Sequence, residues 1–189
     1  MKLFSKILLG VLIFTSFSKI YSQTEAEQKA WMEYMTPGPV HEMLSKSDGE
    51  WKADISMWMD PTSAPMKTEG VCINKMILGG RYQYSTNTAT MMGMPFEGIL
   101  ILGYDNVKKE FVSSWIDNMG TGIMNMTGKW DESTKSANFT GTQVDPVTGK
   151  DIKVREVFKI LNDNTQSMEM FMEKEGSEMK SMEIMYFRK

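Results

Sequence analysis

The stretch Gly49-Glu50-Trp51-Lys52-Ala53-Asp54-Ile55-Ser56-Met57-Trp58-Met59 decides the fold. Trp51, Ala53, Ile55, Met57 and Met59 alternate with Lys52, Asp54, Ser56 and Trp58, the period-two pattern of a strand with one face buried. Nine further segments read as strands: Lys67–Leu78, Arg81–Thr88, Phe96–Tyr104, Glu110–Asp117, Ile123–Trp130, Ser136–Thr142, Asp151–Leu161, Thr165–Met172 and Glu178–Arg188. Short runs rich in turn formers separate most of them, among them Leu78-Gly79-Gly80, Asp105-Asn106, Asp145-Pro146, Asn162-Asp163-Asn164 and Lys174-Glu175-Gly176. Consecutive strands joined by short turns make an antiparallel meander. A long meander with open apolar edges invites aggregation, and closure removes those edges. The expectation is therefore an all-β, antiparallel up-and-down barrel of about ten strands, with a two-sheet sandwich as the alternative. No helix-length amphipathic pattern interrupts the strands, which excludes a parallel α/β sheet.

Working outward, Thr24 to Met35 is compatible with a helix, Pro37-Gly38-Pro39 breaks it, and Val40 to Ser45 is long enough for a short helical turn. Residues 23–48 thus form a helical or irregular segment ahead of a barrel domain at 49–189. Residues 1–22 read as a signal peptide, with Lys2 and Lys6 before the apolar run Ile7–Phe14 and a polar stretch after it. The run is too short for the roughly 20 residues that span a bilayer. Cleavage after Ser22 fits best, with Ser18 the other small-residue site. An exported, periplasmic or secreted protein is the expectation.

The chain has 189 residues and 24 acidic against 21 basic side chains. Loss of Lys2, Lys6 and Lys19 with the leader takes the formal charge from −3 to −6. A mildly acidic domain argues against nucleic acid and anionic membrane surfaces as partners. The single cysteine, Cys72, has no intrachain disulfide partner and lies in the apolar run Val71-Cys72-Ile73, as a small buried side chain would.

Gly49-Glu50-Trp51 opening the first strand, with Arg188 ending the last, resembles the Gly-x-Trp and C-terminal Arg pairing of the calycins, the lipocalin and fatty-acid-binding superfamily. The resemblance implies an Arg188 guanidinium stacked over Trp51 to close one end of a calycin-like barrel. Leu78-Gly79-Gly80-Arg81, Gly93-Met94-Pro95-Phe96-Glu97-Gly98, Gly103-Tyr104-Asp105, Ser114-Trp115-Ile116-Asp117 and Tyr186-Phe187-Arg188 are similar to the bacterial domain-of-unknown-function family 1579. That likeness runs from about Gly38 to Lys189 and implies the barrel without an activity.

Catalytic chemistry finds little support. His41 is the only histidine and precedes the first strand, and no Gly-x-Ser-x-Gly elbow supplies a nucleophile. A packing or capping role suits it better. One His and one Cys leave a zinc site to carboxylates alone, and no His after position 41 is available to ligate haem from a late strand. No catalytic residue, metal or cofactor is assigned.

What remains is a binding cavity. Met is the compositional anomaly at 20 residues, with Met57/Met59, Met124/Met126 and Met168/Met170/Met172 at alternating positions. Flexible thioethers make an adaptable lining, although filling a core is their commoner use. Glu156 shares a strand face with Ile152, Val154, Phe158 and Ile160, which turns an acid inward among apolar neighbours, with Arg81 or Arg155 as candidate partners. Met91, Met92 and Met94 flank Gly93 in what reads as a loop, suited to a lid over the barrel mouth or to Cu(I). Arg81, Tyr104, Trp115, Met124, Met126 and Met170 complete the candidate lining. The leading expectation is a barrel holding a small apolar or amphipathic ligand. The alternatives are a soft-metal or oxidant-buffering methionine protein and a small-molecule enzyme.

Overall fold

The computed structural model describes residues 24–174 and 176–189; the leader expected at 1–22 lies outside them. Ten strands follow two short helices: α1 (Glu25–Met35), α2 (Pro39–Ser45), β1 (Gly49–Met57), β2 (Met66–Ile77), β3 (Tyr82–Met91), β4 (Met94–Asp105), β5 (Glu110–Asp117), β6 (Met124–Asp131), β7 (Ser136–Val144), β8 (Asp151–Asn162), β9 (Thr165–Lys174) and β10 (Ser177–Arg188). Each strand pairs antiparallel with its neighbours in sequence. β1 also pairs with β10, from Trp51↔Arg188 to Met57↔Met182, so the sheet closes. The barrel expected from the alternation is the observed one, and the sandwich is not.

Cross-strand register determines what points inward. Trp51, Ala53 and Ile55 are buried in β1, and the ladder carries that face through Cys72 and Asn74, Gln83 and Ser85, Phe96, Phe111 and Ser113. It continues through Met126, Phe139, Val154 and Met168 to Ile184 and back to Ile55. Two inward glycines make room for rings. A Cβ on Gly98 would lie 2.5 Å from the Trp115 indole, and one on Gly128 would lie 2.7 Å from the Phe139 ring. These rings lie over backbone that carries no side chain of its own.

One end is sealed. α2 starts at Pro39, and the Gly38 N–H donates to Nδ1 of the buried His41 at 3.1 Å. The carbonyls at and beyond its last turn would otherwise be buried without partners. Inward amides of the barrel supply the bonds: Gln83 donates to the Leu44 carbonyl at 2.9 Å, and Asn74 to the Ser47 carbonyl at 3.2 Å. The Trp51 indole donates to the same Ser47 carbonyl, while Gln166 donates to the Ser47 hydroxyl. α1, by contrast, has a Thr24–Glu27 capping box and buries no residue.

The stretch read as a loop at Met91–Pro95 is a two-residue turn. Met91 and Met94 are paired, leaving Met92 (φ 50°) and Gly93 (φ 79°) as the corner. Two positive φ values match the twist of a hairpin, so β3 runs three residues further than its polar sequence suggests.

Candidate functional site

The sealed end and the opposite half of the barrel differ in how they are filled. Near α2 the core is dense, with Leu44, Phe111, Phe139 and Val154 buried and Tyr104 edge-on to Phe111 at 5.1 Å. Met57, Leu100, Trp115 and Met182 take inward positions further along the barrel, and Met124 and Met170 pack from there against the dense cluster; all six keep some accessible surface. Most of them pack against the core clusters.

Glu156 faces the barrel interior at the edge of the dense cluster. Its neighbours on the same face are Val154 and Phe158, and its partners across the ladder are Phe139 and Met170. Desolvation by the surrounding protein pushes its carboxyl up to about 7. Tyr186 faces the same space from β10. Burial raises its pKa well above the ordinary phenol value, and the Cys72 thiol and the Glu156 carboxyl add to the effect through space. Among the described residues neither the Glu156 carboxyl nor the Tyr186 hydroxyl has a hydrogen-bond partner, nor have the inward side chains of Ser85, Asn87 and Ser113. This differs from Asn74, Gln83 and Gln166, whose amides are used up in holding α2.

Both arginines offered as partners for Glu156 lie elsewhere. Arg81 is exposed in the turn between β2 and β3, and its Nη1 donates to the Leu78 carbonyl at 3.0 Å. Arg155 is adjacent to Glu156 on the strand and so faces outward, where it makes two bonds to Glu178 (2.8 and 2.7 Å) over the Phe171 ring. Period two puts neighbours on opposite faces, which rules out Arg155 as the internal counterion.

The other candidates divide. Tyr104 packs at the sealed end, against Phe111 and His41. Trp115 stacks on Phe96 and donates its indole N–H to Asp117 Oδ2 at 2.7 Å. Met124, Met126 and Met170 point inward, with Met126 fully enclosed. Met91 is buried beside Phe96, Ala53 and Ile55. Met92 is 63% exposed at the turn and Met94 is 48% exposed at the rim, so these three thioethers form no lid. The reason is the tight turn, which leaves no loop long enough to fold over the opening. Ser85, Asn87 and Ser113 carry no signal in the sequence, and Tyr186 stands there only as part of the terminal motif; their inward parity becomes visible once the register is known.

Other chemistry is weak. Cys72 donates to Asn74 Oδ1 at 3.2 Å, and burial pushes its thiol up to about 12, so little thiolate forms at neutral pH. Burial lowers the His41 pKa, partly offset by a hydrogen bond with the Tyr104 backbone, in keeping with a neutral ring that accepts at Nδ1. No group of three or more His, Cys, Asp or Glu side chains suited to a metal occurs among the described residues. A cavity of about 430 Å³ on the outer face is lined by Thr140, Lys153, Arg155, Glu173 and Glu178. Its charges are already paired, Lys153 with Glu173 and Arg155 with Glu178.

The fold is shared with a solved protein, Rv2717c from M. tuberculosis, at a TM-score of 0.62 and 14% identity over 82% of this chain and 99% of that one. At that identity the likeness extends to the fold alone. No curated protein sequence matches the chain. The family model for proteins of unknown function called DUF1579 matches residues 36–188, nearly all of the barrel and its α2 seal, and the chain belongs to that family.

Proposed function

We propose that this protein is an exported, calycin-like carrier that holds one small apolar or amphipathic molecule in the barrel. The observation that carries the reading is the pairing of a Met- and aromatic-lined barrel interior with a carboxyl and a phenol that have no protein partner among the described residues. Both residues are partly exposed, and a polar group drawn out of bulk water without a protein partner costs up to about 1–3 kcal/mol, which a bound molecule or water offsets. A domain selected only for stability would fill those positions with apolar side chains.

The thioethers suit the same role. Met170, Met124 and Met182 adapt their shape to a guest more readily than branched side chains do. Native mass spectrometry of protein purified from its own periplasm should show a retained adduct. Uptake of N-phenyl-1-naphthylamine, a fluorophore that brightens in apolar surroundings, should saturate at one per chain. Protein that carries no adduct and takes up no fluorophore would overturn the carrier reading.

A further inference from the structure

We infer that the molecule held in the barrel is a lipophilic amine, its basic nitrogen set against Glu156 and Tyr186 and its apolar body among the methionines and Trp115. This rests on the carrier reading above and adds the chemical class.

The argument starts from the charges that face inward. Among the described side chains the register places no Lys, Arg or His at a lumen-facing position between Trp51 and Tyr186; Lys174 holds a lumen-facing register position at the very end of β9, at the open rim. Arg188, two residues beyond Tyr186 on β10, is occupied with backbone carbonyls and the Trp51 face. Arg81 and Arg155 are outside, as shown above. The inward acids are Glu156 and Asp117, the latter already accepting from the Trp115 indole and the Met119 N–H. A carboxylate or phosphate headgroup set beside Glu156 would meet an acid and no cation from the strands around it. A fatty acid is therefore a poor guest.

An ammonium reverses the balance. A buried carboxyl without a counterion is held toward its neutral form, and a cation beside it favours the charged one. The guest supplies the cation that the chain withholds. The Tyr186 oxygen accepts a second N–H, and the Ser85 and Ser113 hydroxyls and the Asn87 amide stand unpartnered on the facing strands. Trp115, Phe96 and the thioethers present electron-rich surfaces that tolerate a nearby cation. The net negative charge of the chain favours the approach of cations over anions.

The test uses three guests of one chain length, dodecylamine, dodecanol and dodecanoate, each competing with N-phenyl-1-naphthylamine for the full-length mature protein at neutral pH. Dodecylamine should displace the fluorophore at concentrations about tenfold or more below dodecanoate, the size expected for a charge-assisted hydrogen bond. Glu156→Gln should weaken dodecylamine about tenfold and leave dodecanol unchanged. The dodecanol result also reports that the variant is folded. Glu97→Gln, which removes an outward acid, should keep the amine preference. Dodecanoate binding as well as dodecylamine overturns the amine assignment, as does an amine lead that survives in Glu156→Gln or is lost equally in Glu97→Gln. Failure of the fluorophore to enter the wild-type barrel overturns the carrier reading itself, a separate result.

Discussion

The Arg188 guanidinium lies 4.2 Å from the centroid of the Trp51 ring, joining the last strand to the first. The same side chain donates to three backbone carbonyls, those of Asp163 (3.1 Å), Asp48 (2.9 Å) and Lys46. It thus ties the β8–β9 turn to the segment that leads from α2 into β1. Trp51, wholly buried, sends its indole N–H to the Ser47 carbonyl.

Arg188→Ala should therefore destabilise the barrel by about 2–4 kcal/mol, the combined scale of a cation–π contact and charge-assisted hydrogen bonds. Urea unfolding measures this directly. Arg188→Lys should recover only part of the loss, because an ammonium cannot fork to three carbonyls. An alanine variant as stable as wild type would show that β1–β10 pairing suffices for closure.

Glu156 should make stability fall with rising pH. Its folded pKa is raised from 4.5 to about 7, so the folded state holds a proton that the unfolded chain has released. Its contribution is fully present below about pH 4.5 and is lost as pH rises through 7, by roughly 3 kcal/mol in all. Glu156→Gln removes the loss. The variant should gain on wild type between pH 5 and pH 8 in urea midpoints, and parallel pH profiles for the two proteins would contradict the buried placement.

Cys72 should be unreactive in the folded protein. Its thiol is pushed up to about 12 and is enclosed beneath Trp51 and Asn87 in the ladder. A thiol-reactive disulfide dye at pH 8 should release almost no colour from native protein and one equivalent after denaturation. Rapid labelling without denaturant would place Cys72 at an accessible surface instead.

Gly98→Val should displace Trp115, because a Cβ there would lie 2.5 Å from the indole. Overpacking of this kind costs about 1–3 kcal/mol. The near-ultraviolet circular dichroism should change, since the indole loses its stack on Phe96 and its bond to Asp117. The same substitution in a Trp115→Phe background should change that signal little; an equal change would assign it to another tryptophan.

The architecture was legible because alternation is a local property. Trp51, Ala53 and Ile55 announce a buried face, and turn formers mark the corners of an antiparallel meander, so closure follows from the cost of open edges. Even the inward turn of Glu156 is readable from Val154 and Phe158 on either side. The tight corner at Met92-Gly93 was not, because polar Thr and Asn residues on the way to it hide the last residues of β3.

What only the tertiary structure decided is which groups meet. Asn74, Gln83 and Gln166 look like three scattered polar residues until α2 is seen to end over the barrel, where buried carbonyls require donors. Glu156 has an arginine beside it in the chain, yet pleating sends Arg155 outward to Glu178. The phenol that shares the interior with Glu156 comes from β10, two strands away and 30 residues further on, and the antiparallel register through β9 brings it to the same face. Periodicity along one strand determines a side chain's face. Shear and closure across ten strands determine its neighbours, and those long-range contacts leave no local pattern.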